Sequence, residues 1–439
     1  MKKLLFICAA FVLFVTSVMG QAMKFDFGNG KTAKGYTRVA PEMVYSDASG
    51  FGFDYNTRPA AEKHKKGNAL TSDYCFSDRP FYFSVKLPEG NYDVTLTLGN
   101  PNGTSSTTVK AESRRLMLEK MQTVRGETLQ RTFTVNVRTP RISDNERIRI
   151  KPREKGYLNW DNKLTIEFGD SLPSVCAMEI VPNATATTVF LAGNSTVVDQ
   201  DKEPWAAWGQ MITRFFEHGK VVVANYAESG EALHSFKASQ RLAKILSVMK
   251  PGDYLFIEFG HNDQKRKGDE HGAWGSYSDL MREFVSLTRQ KGGNPVIVTS
   301  MHRRNFDANG KVVHSLGDFP AAARKVAADM QVPLVDLNQM SEIMYEAWGP
   351  EKSIKAFVHY PANTWPGQEQ KLEDNTHFNS FGAYEIARCI RKGIIDLKLP
   401  LAQFLTTDVP EFDPSHPDDP DSWSLSISPM AANEKPDGN

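Results

Sequence analysis

Between Thr188 and Asn338 the chain repeats one pattern, a short apolar run followed by a stretch with helical period. The runs are "TVFLAG", "KVVVANYA", "DYLFIEFG", "NPVIVTSM" and "VPLVDLN", and the helical stretches include Pro204 to His218, Ser235 to Lys250, Tyr277 to Lys291 and Ala321 to Met330. Runs without polar alternation are buried on both faces, and linking them through amphipathic helices builds a parallel sheet covered on each side. In open sheets of this kind ligands sit beyond the carboxyl ends of the strands. The residues that follow each run are therefore where chemistry is to be sought.

Before this region the period is different. From Met23 to Asn183 the runs are short and alternating ("FYFSVKL", "YDVTLTLG", "RTFTVNVR", "KLTIEFG", "CAMEIVP") and are parted by turn clusters such as "NPNGTSS". That spacing predicts a β-sandwich or jelly roll. "GNGKT" at Gly28 to Thr32 resembles the end of a phosphate loop, but Phe25 stands where that motif needs its first glycine. A chain of 439 residues exceeds most single domains. The expected division is a leader over 1–22, an all-β domain over 23–183, an α/β domain over 184–404 and an acidic tail over 405–439. The proline-, aspartate- and serine-rich end from Phe412 reads as mostly disordered.

Lysine plus arginine and aspartate plus glutamate each number 52, so no global field draws the chain to nucleic acid or to an anionic membrane. The start has Lys2 and Lys3, an apolar run from Leu4 to Val15, and small residues at Gly20 and Ala22. This is the layout of a secretory signal, and it predicts a secreted or periplasmic protein with no membrane association after cleavage; the alternative is an uncleaved anchor, for which the apolar run is short of a full span of roughly 20 residues. Cys75, Cys176 and Cys389 remain, without metal-site spacing. A Cys75–Cys176 disulfide and three buried thiols are both open, the thiols being preferred.

The strand ends read "GNST" at Gly193 to Thr196, "NYAESG" at Asn225 to Gly230, "GHND" at Gly260 to Asp263 and "MHRR" at Met301 to Arg304, with "DNTHFN" at Asp374 to Asn379 before a last helix. "GNST" alone fits an ordinary turn. Together the segments hold the parts of an acyl-transfer site. A serine hydroxyl is a weak nucleophile until an imidazole takes its proton and a carboxylate fixes the imidazole's tautomer; Ser195, His377 and Asp374 are the candidates. The oxyanion formed on attack needs preorganised donors, and the backbone N–H groups of Ser195 and Gly230 with the Asn262 amide could supply them.

Ser195, Gly230, Asn262 and His377 match, in order, the four blocks of the SGNH (GDSL-like) hydrolases. From about Thr188 to Lys398 the chain resembles the rhamnogalacturonan acetylesterases of carbohydrate esterase family 12, and 23–183 resembles the galactose-binding-like sandwich that precedes the esterase domain in some bacterial members. The resemblance implies a flavodoxin-like sheet, a Ser195–His377–Asp374 triad, and neither metal nor organic cofactor. It further implies release of O-acetyl groups from an acetylated plant cell-wall polysaccharide or oligosaccharide, rhamnogalacturonan first. Another acetylated glycan such as xylan, or an inactive glycan-binding protein, are the rival readings.

Two residues depart from that family's pattern. Asn194 stands where members usually carry aspartate, which should alter local hydrogen bonding more than mechanism. Glu231 lies in "EALHSF", where the esterases often carry a basic, serine-rich stretch, and an acidic side chain there would repel a uronate. Arg303 and Arg304 are candidates for gripping a uronate carboxylate, against the alternative of a solvated loop. Trp274 and Trp365, in loops, could stack on sugar faces, whereas Trp205 and Trp208 at helical spacing read as packing residues. His261 either lines the pocket or fills the core.

Overall fold

The computed structural model describes residues 22–430. Residues 1–21 of the expected leader, and the last residues of the tail, lie outside them.

The first half is a sandwich of two mostly antiparallel sheets. Met23–Phe27, Thr37–Val39, Ala60–Lys63, Asp73–Phe76, Gly90–Leu98, Leu129–Val137 and Ser174–Pro182 form one; Phe51–Asp54, Phe81–Lys86, Ser105–Ala111, Arg115–Thr123 and Lys163–Gly169 form the other. Alternation does what period 2 requires: in Gly90–Leu98, Val94, Leu96 and Leu98 are buried while Asp93, Thr95 and Thr97 between them are only partly so. Between the sheets Phe83 meets the rings of Phe27 and Phe53 edge-on, at 5.0 and 5.7 Å.

The second half is built on an all-parallel five-stranded sheet, in the order Val221–Asn225, Thr187–Gly193, Tyr254–Glu258, Asn294–Val298, Leu334–Val335. This is the 2-1-3-4-5 order of flavodoxin-like sheets. Its helices are α1 (Trp208–Met211), α2 (Leu233–Ala238), α3 (Arg241–Val248), α4 (Ser278–Gln290), α5 (Phe319–Met330), α6 (Leu337–Lys352) and α7 (Ser380–Asp396). Two predicted helices are shorter than their pattern. The stretch Pro204–His218 keeps only α1 and a following 3-10 turn, Ile212–Phe215. Ser235–Lys250 breaks into α2 and α3 where Gln240 takes a left-handed φ of 68°.

The sandwich and the α/β unit are tied together by two segments. Residues 138–162 leave the sandwich between two of its strands and lie against the second unit, where Ile148, Ile150 and Trp160 join the core around α3 and α4. The Arg241 guanidinium of α3 pairs with Glu154 at 2.5 Å, and both side chains are wholly buried.

The tail is the second tie, and here the expectation of disorder fails for residues 405–430. They carry no long helix or strand, yet Leu405, Val409 and Phe412 are buried, and Trp423 packs on Phe381 and Tyr384. The acidic residues face cations: Asp418 meets Arg388 at 2.6 Å, Asp419 meets Lys352 at 2.9 Å and Asp421 meets Lys355 at 2.5 Å. Farther on, Lys110 of the sandwich donates to Ser426 O at 2.6 Å. Composition alone missed these basic partners because they lie on distant elements. The three cysteines are free and buried, and the Cys75 and Cys176 thiols face the carbonyls of Val39 and Gly99.

Candidate active site

The strand Thr187–Gly193 ends in a turn where the N–H groups of Val197 and Val198 both donate to Asn194 O, each at 3.0 Å. Gly193 is needed at the break, because a Cβ there would stand 2.5 Å from Val197 Cγ2. The Asn194 side-chain oxygen accepts from the Thr196 N–H at 3.0 Å and from its hydroxyl at 2.9 Å. An amide oxygen thus supplies the turn's acceptor at this position. Asn194-Ser195-Thr196 has the form of an N-glycosylation sequon, but all three residues are buried and offer no surface for modification.

At this turn three side chains meet. Ser195 Oγ lies 2.8 Å from His377 Nε2, and His377 Nδ1 lies 2.7 Å from Asp374 Oδ2. An ionised carboxylate only accepts, so the proton belongs on Nδ1 and the Nε2 lone pair faces the serine hydroxyl. Asp374 Oδ1 takes the N–H groups of Thr376 at 2.9 Å and His377 at 3.1 Å, which fixes the carboxylate plane. The neighbouring loops are laced to the same turn: Glu228 N donates to Gly193 O at 3.2 Å, and Asn262 Nδ2 donates to Glu231 O at 3.0 Å. Gly230 sits between them at φ 78°, a backbone that favours glycine.

Beneath the turn lies Glu258, fully buried, which accepts from Trp208 Nε1 at 2.9 Å and whose Oε1 lies 3.2 Å from Thr196 Oγ1, a hydroxyl whose one proton goes to Asn194. Trp205 and Trp208 are packing residues, as their spacing suggested. Burial pushes the Glu258 carboxyl from 4.5 up to about 7. As pH rises the unfolded chain loses this proton first, so the group lowers stability progressively from about pH 4.5 to about pH 7, with no further loss above. Glu258→Gln keeps an acceptor for Trp208 and offers an amide N–H toward Thr196, and should raise the melting temperature at about pH 8, by up to about 3 kcal/mol of stability, with little change near pH 5. Melting curves at the two pH values check this; an equal shift at both would mean the carboxyl is ionised throughout.

The other candidates separate. His261 is buried beside Asn262, neither of its ring nitrogens has a hydrogen-bond partner among the described residues, and burial, Arg303 and His377 hold its pKa well below the ordinary value. It is a neutral imidazole close to His377. Arg303 donates to Ser315 Oγ at 3.2 Å and, with the Gln264 amide turned so that its oxygen faces the guanidinium, to that oxygen at 2.7 Å; no carboxylate pairs with it among the described residues. Arg304 is taken up by the protein, donating to Ser353 Oγ at 3.0 Å, Asn375 Oδ1 at 2.8 Å and Pro350 O at 2.5 Å. It braces the loop that carries Asp374 and His377, which removes it from the substrate contacts. Trp274 is exposed, its Nε1 donating to Asp318 at 3.0 Å. Trp365 lines a cleft whose other walls include Arg58, Arg79 and Phe81 of the sandwich.

Glu231 is not the free acidic charge that its sequence position suggested. It is buried, with Lys151 Nζ at 3.0 Å and Ser235 Oγ at 2.5 Å. Lys151 also donates to Ser229 O at 2.5 Å, while Arg153 reaches Glu228 Oε1 at 2.6 Å and Ser229 O at 2.7 Å. The loop around Gly230 is therefore gripped from the 138–162 segment. On the other side Arg114, from the turn between two sandwich strands, pairs with Glu203 at 2.5 Å and donates to Trp205 O at 2.7 Å. Sequence reasoning missed Lys151, Arg153 and Arg114; "KPREK" at Lys151 to Lys155 is simply a charged stretch until the fold places it.

Residues 186–383 match the GDSL-like lipase/acylhydrolase family, and residues 23–140 match the galactose-binding domain-like family of β-agarases and YxiM-type esterases. The rhamnogalacturonan acetylesterase RhgT of Bacillus subtilis (strain 168) is 42% identical over 221 residues, half of this chain and 94% of that protein. The chain belongs to the GDSL-like hydrolase family. This GDSL-like hydrolase also resembles an uncharacterised esterase, YxiM, of the same organism, at 26% identity over 88% of this chain and 94% of that one. The crystal structure of Bacillus subtilis YxiM covers 87% of this chain and 99% of its own, at 23% identity and a TM-score of 0.45. As a GDSL-like hydrolase the chain is a carboxylic ester hydrolase with a serine enzyme's fold. Among the described residues no helix is long and apolar enough to cross a membrane.

Proposed function

We propose that the protein is a secreted or periplasmic acetylesterase that releases O-acetyl groups from a pectic polysaccharide, rhamnogalacturonan. The observation that carries the chemistry is the continuous line from Asp374 through His377 to Ser195 Oγ, with contacts of 2.7 and 2.8 Å. The likeness to RhgT supports the substrate class, and the lysine-flanked apolar start supports export.

In this reading Ser195 Oγ attacks the acetyl carbonyl as His377 Nε2 takes its proton, and Asp374 stabilises the imidazolium. The negative oxygen is received by the N–H groups of Ser195 and Gly230 and by the Asn262 amide. As the tetrahedral species collapses, His377 returns the proton to the departing sugar oxygen, leaving acetyl on Ser195. Water, deprotonated by the same imidazole, then releases acetate and restores the serine. Arg303 is the uronate contact: it lies near His261 and has no acidic partner among the described residues.

The test is acetate release across acetylated rhamnogalacturonan oligosaccharides, acetylated xylooligosaccharides and a small neutral acetyl ester. The highest kcat/KM is expected on the first. Arg303→Gln should raise KM about tenfold or more on the acidic oligosaccharide, the worth of a hydrogen bond to a charged group, and leave the neutral ester unchanged. High salt should produce part of that defect in the unmodified enzyme. An equal effect on acidic and neutral substrates would take away the rhamnogalacturonan assignment and leave an acetylesterase for another glycan.

A further inference from the structure

Beyond the triad, the carboxyl end of the Asn294–Val298 strand holds a second cluster that the esterase chemistry does not use. His302 follows that strand, His314 lies twelve residues on in the loop that returns toward α5, and Glu342 projects from α6. His314 Nε2 stands 3.0 Å from Glu342 Oε1, and His302 Nε2 stands 3.6 Å from Glu342 Oε2. The two imidazole rings are 4.7 Å apart, and one ligand atom from each of the three residues lies within 4.8 Å of the others.

Two features separate this group from a surface ion pair. His302 is buried, at 2% exposure, and neither of its ring nitrogens has a hydrogen-bond partner among the described residues. A buried polar group without a partner destabilises the fold, and Nε2 faces the Glu342 carboxylate across 3.6 Å. His314 and Glu342 keep a path to solvent, their side chains being 64% and 32% exposed. The cluster therefore has a buried inner ligand and an open outer face.

We propose that His302, His314 and Glu342 form a binding site for a divalent transition metal, zinc by the chemistry of its donors. Two imidazoles and one carboxylate are the ligand types zinc accepts, with bonds of about 2.0–2.2 Å. Tetrahedral geometry with such bonds sets ligand atoms roughly 3.3 Å apart; the two imidazoles stand 3.0 and 3.6 Å from Glu342, each on a different carboxylate oxygen. Closing the remaining gap between the imidazoles asks the exposed His314 ring to move by roughly 1–2 Å. Three protein ligands leave one position for water. A bound metal ties the loop 303–316, in which Arg303 rests on Ser315, to α6. The spacing from His302 to His314 carries no zinc signature, and Glu342 joins them only through the packing of α6.

The experiment uses the full chain without a histidine tag, titrated with zinc ion alone by calorimetry and assayed for metal content after desalting. One saturable site and one retained equivalent of zinc per chain are expected. His314→Gln and Glu342→Gln, on side chains with solvent access and so without a folding penalty at a core position, should each weaken binding about tenfold or more. His416→Gln, at an exposed histidine far along the tail, should bind as the unmodified chain does. Circular dichroism of each variant verifies the fold. Absence of saturable binding by the unmodified chain, or affinity unchanged in both the His314 and Glu342 variants, overturns the site.

Discussion

Replacing Ser195 by alanine should leave a folded protein whose rate of ester hydrolysis is lower by about 10⁴-fold or more, with the residual rate coming from the oxyanion donors and binding alone. The fold should persist because the change removes one buried hydroxyl and its 2.8 Å contact to His377, worth about 1 kcal/mol. Asp374→Asn should cost a similar factor for a geometric reason. Thr376 and His377 both donate backbone N–H to Asp374 Oδ1, so an amide at this position keeps its oxygen on those donors. Its NH₂ group then faces His377 Nδ1 and selects the tautomer with the proton on Nε2. That imidazole cannot take a proton from Ser195, and a loss of about 10⁴ is the expected size. Steady-state kinetics on a small acetyl ester, with circular dichroism as the folding control, measure both; activity within tenfold of the unmodified enzyme in either variant would remove that residue from its role.

The second large effect concerns the 138–162 segment. Arg241 and Glu154 are wholly buried and 2.5 Å apart, and removing one member of a buried pair leaves the other as an uncompensated charge, at about 3–5 kcal/mol. Arg241→Ala should therefore lower the denaturation midpoint of the α/β unit sharply. Arg153→Ala tests what the same segment does for chemistry. Arg153 is partly exposed, and it holds Glu228 and the carbonyl of Ser229, one residue before Gly230. Without it the Gly230 loop loses its brace, and on the proposed role of that loop as an oxyanion donor kcat on a small ester should fall by about ten- to a hundredfold, the effect of a displacement near 1 Å, while KM changes little. A kcat equal to that of the unmodified enzyme would show that the Gly230 loop holds its own shape.

These effects also mark the boundary of what the sequence disclosed. Strand runs such as "DYLFIEFG" were legible because burial on both faces leaves an unbroken apolar signature, and the blocks that follow them fell where an open parallel sheet puts its ligands. "DNTH" was legible because its two functional residues are three apart in one loop. Lys151 and Glu231 are eighty positions apart by their numbering, and neither carries a local mark of the other; Glu231 therefore read as a free acid, and the fold makes it one end of a buried clamp. The tail misled for the same reason: Asp418, Asp419 and Asp421 look like solvated charge until Arg388, Lys352 and Lys355 are placed opposite them. The two arginines of "MHRR" were indistinguishable as a pair, and only the contacts of Arg304 with Asn375 and Ser353 separate them.

The central claim is that Ser195 is the nucleophile, and a covalent serine reagent tests it most directly. A fluorophosphonate added to the unmodified enzyme should attach once per chain, and peptide mass mapping should place it on Ser195 as activity disappears. Ser195→Ala should take up none, and a competing acetylated oligosaccharide should slow the labelling. Inactivation with the label on any other residue, or full activity retained after Ser195 is quantitatively modified, would contradict the account.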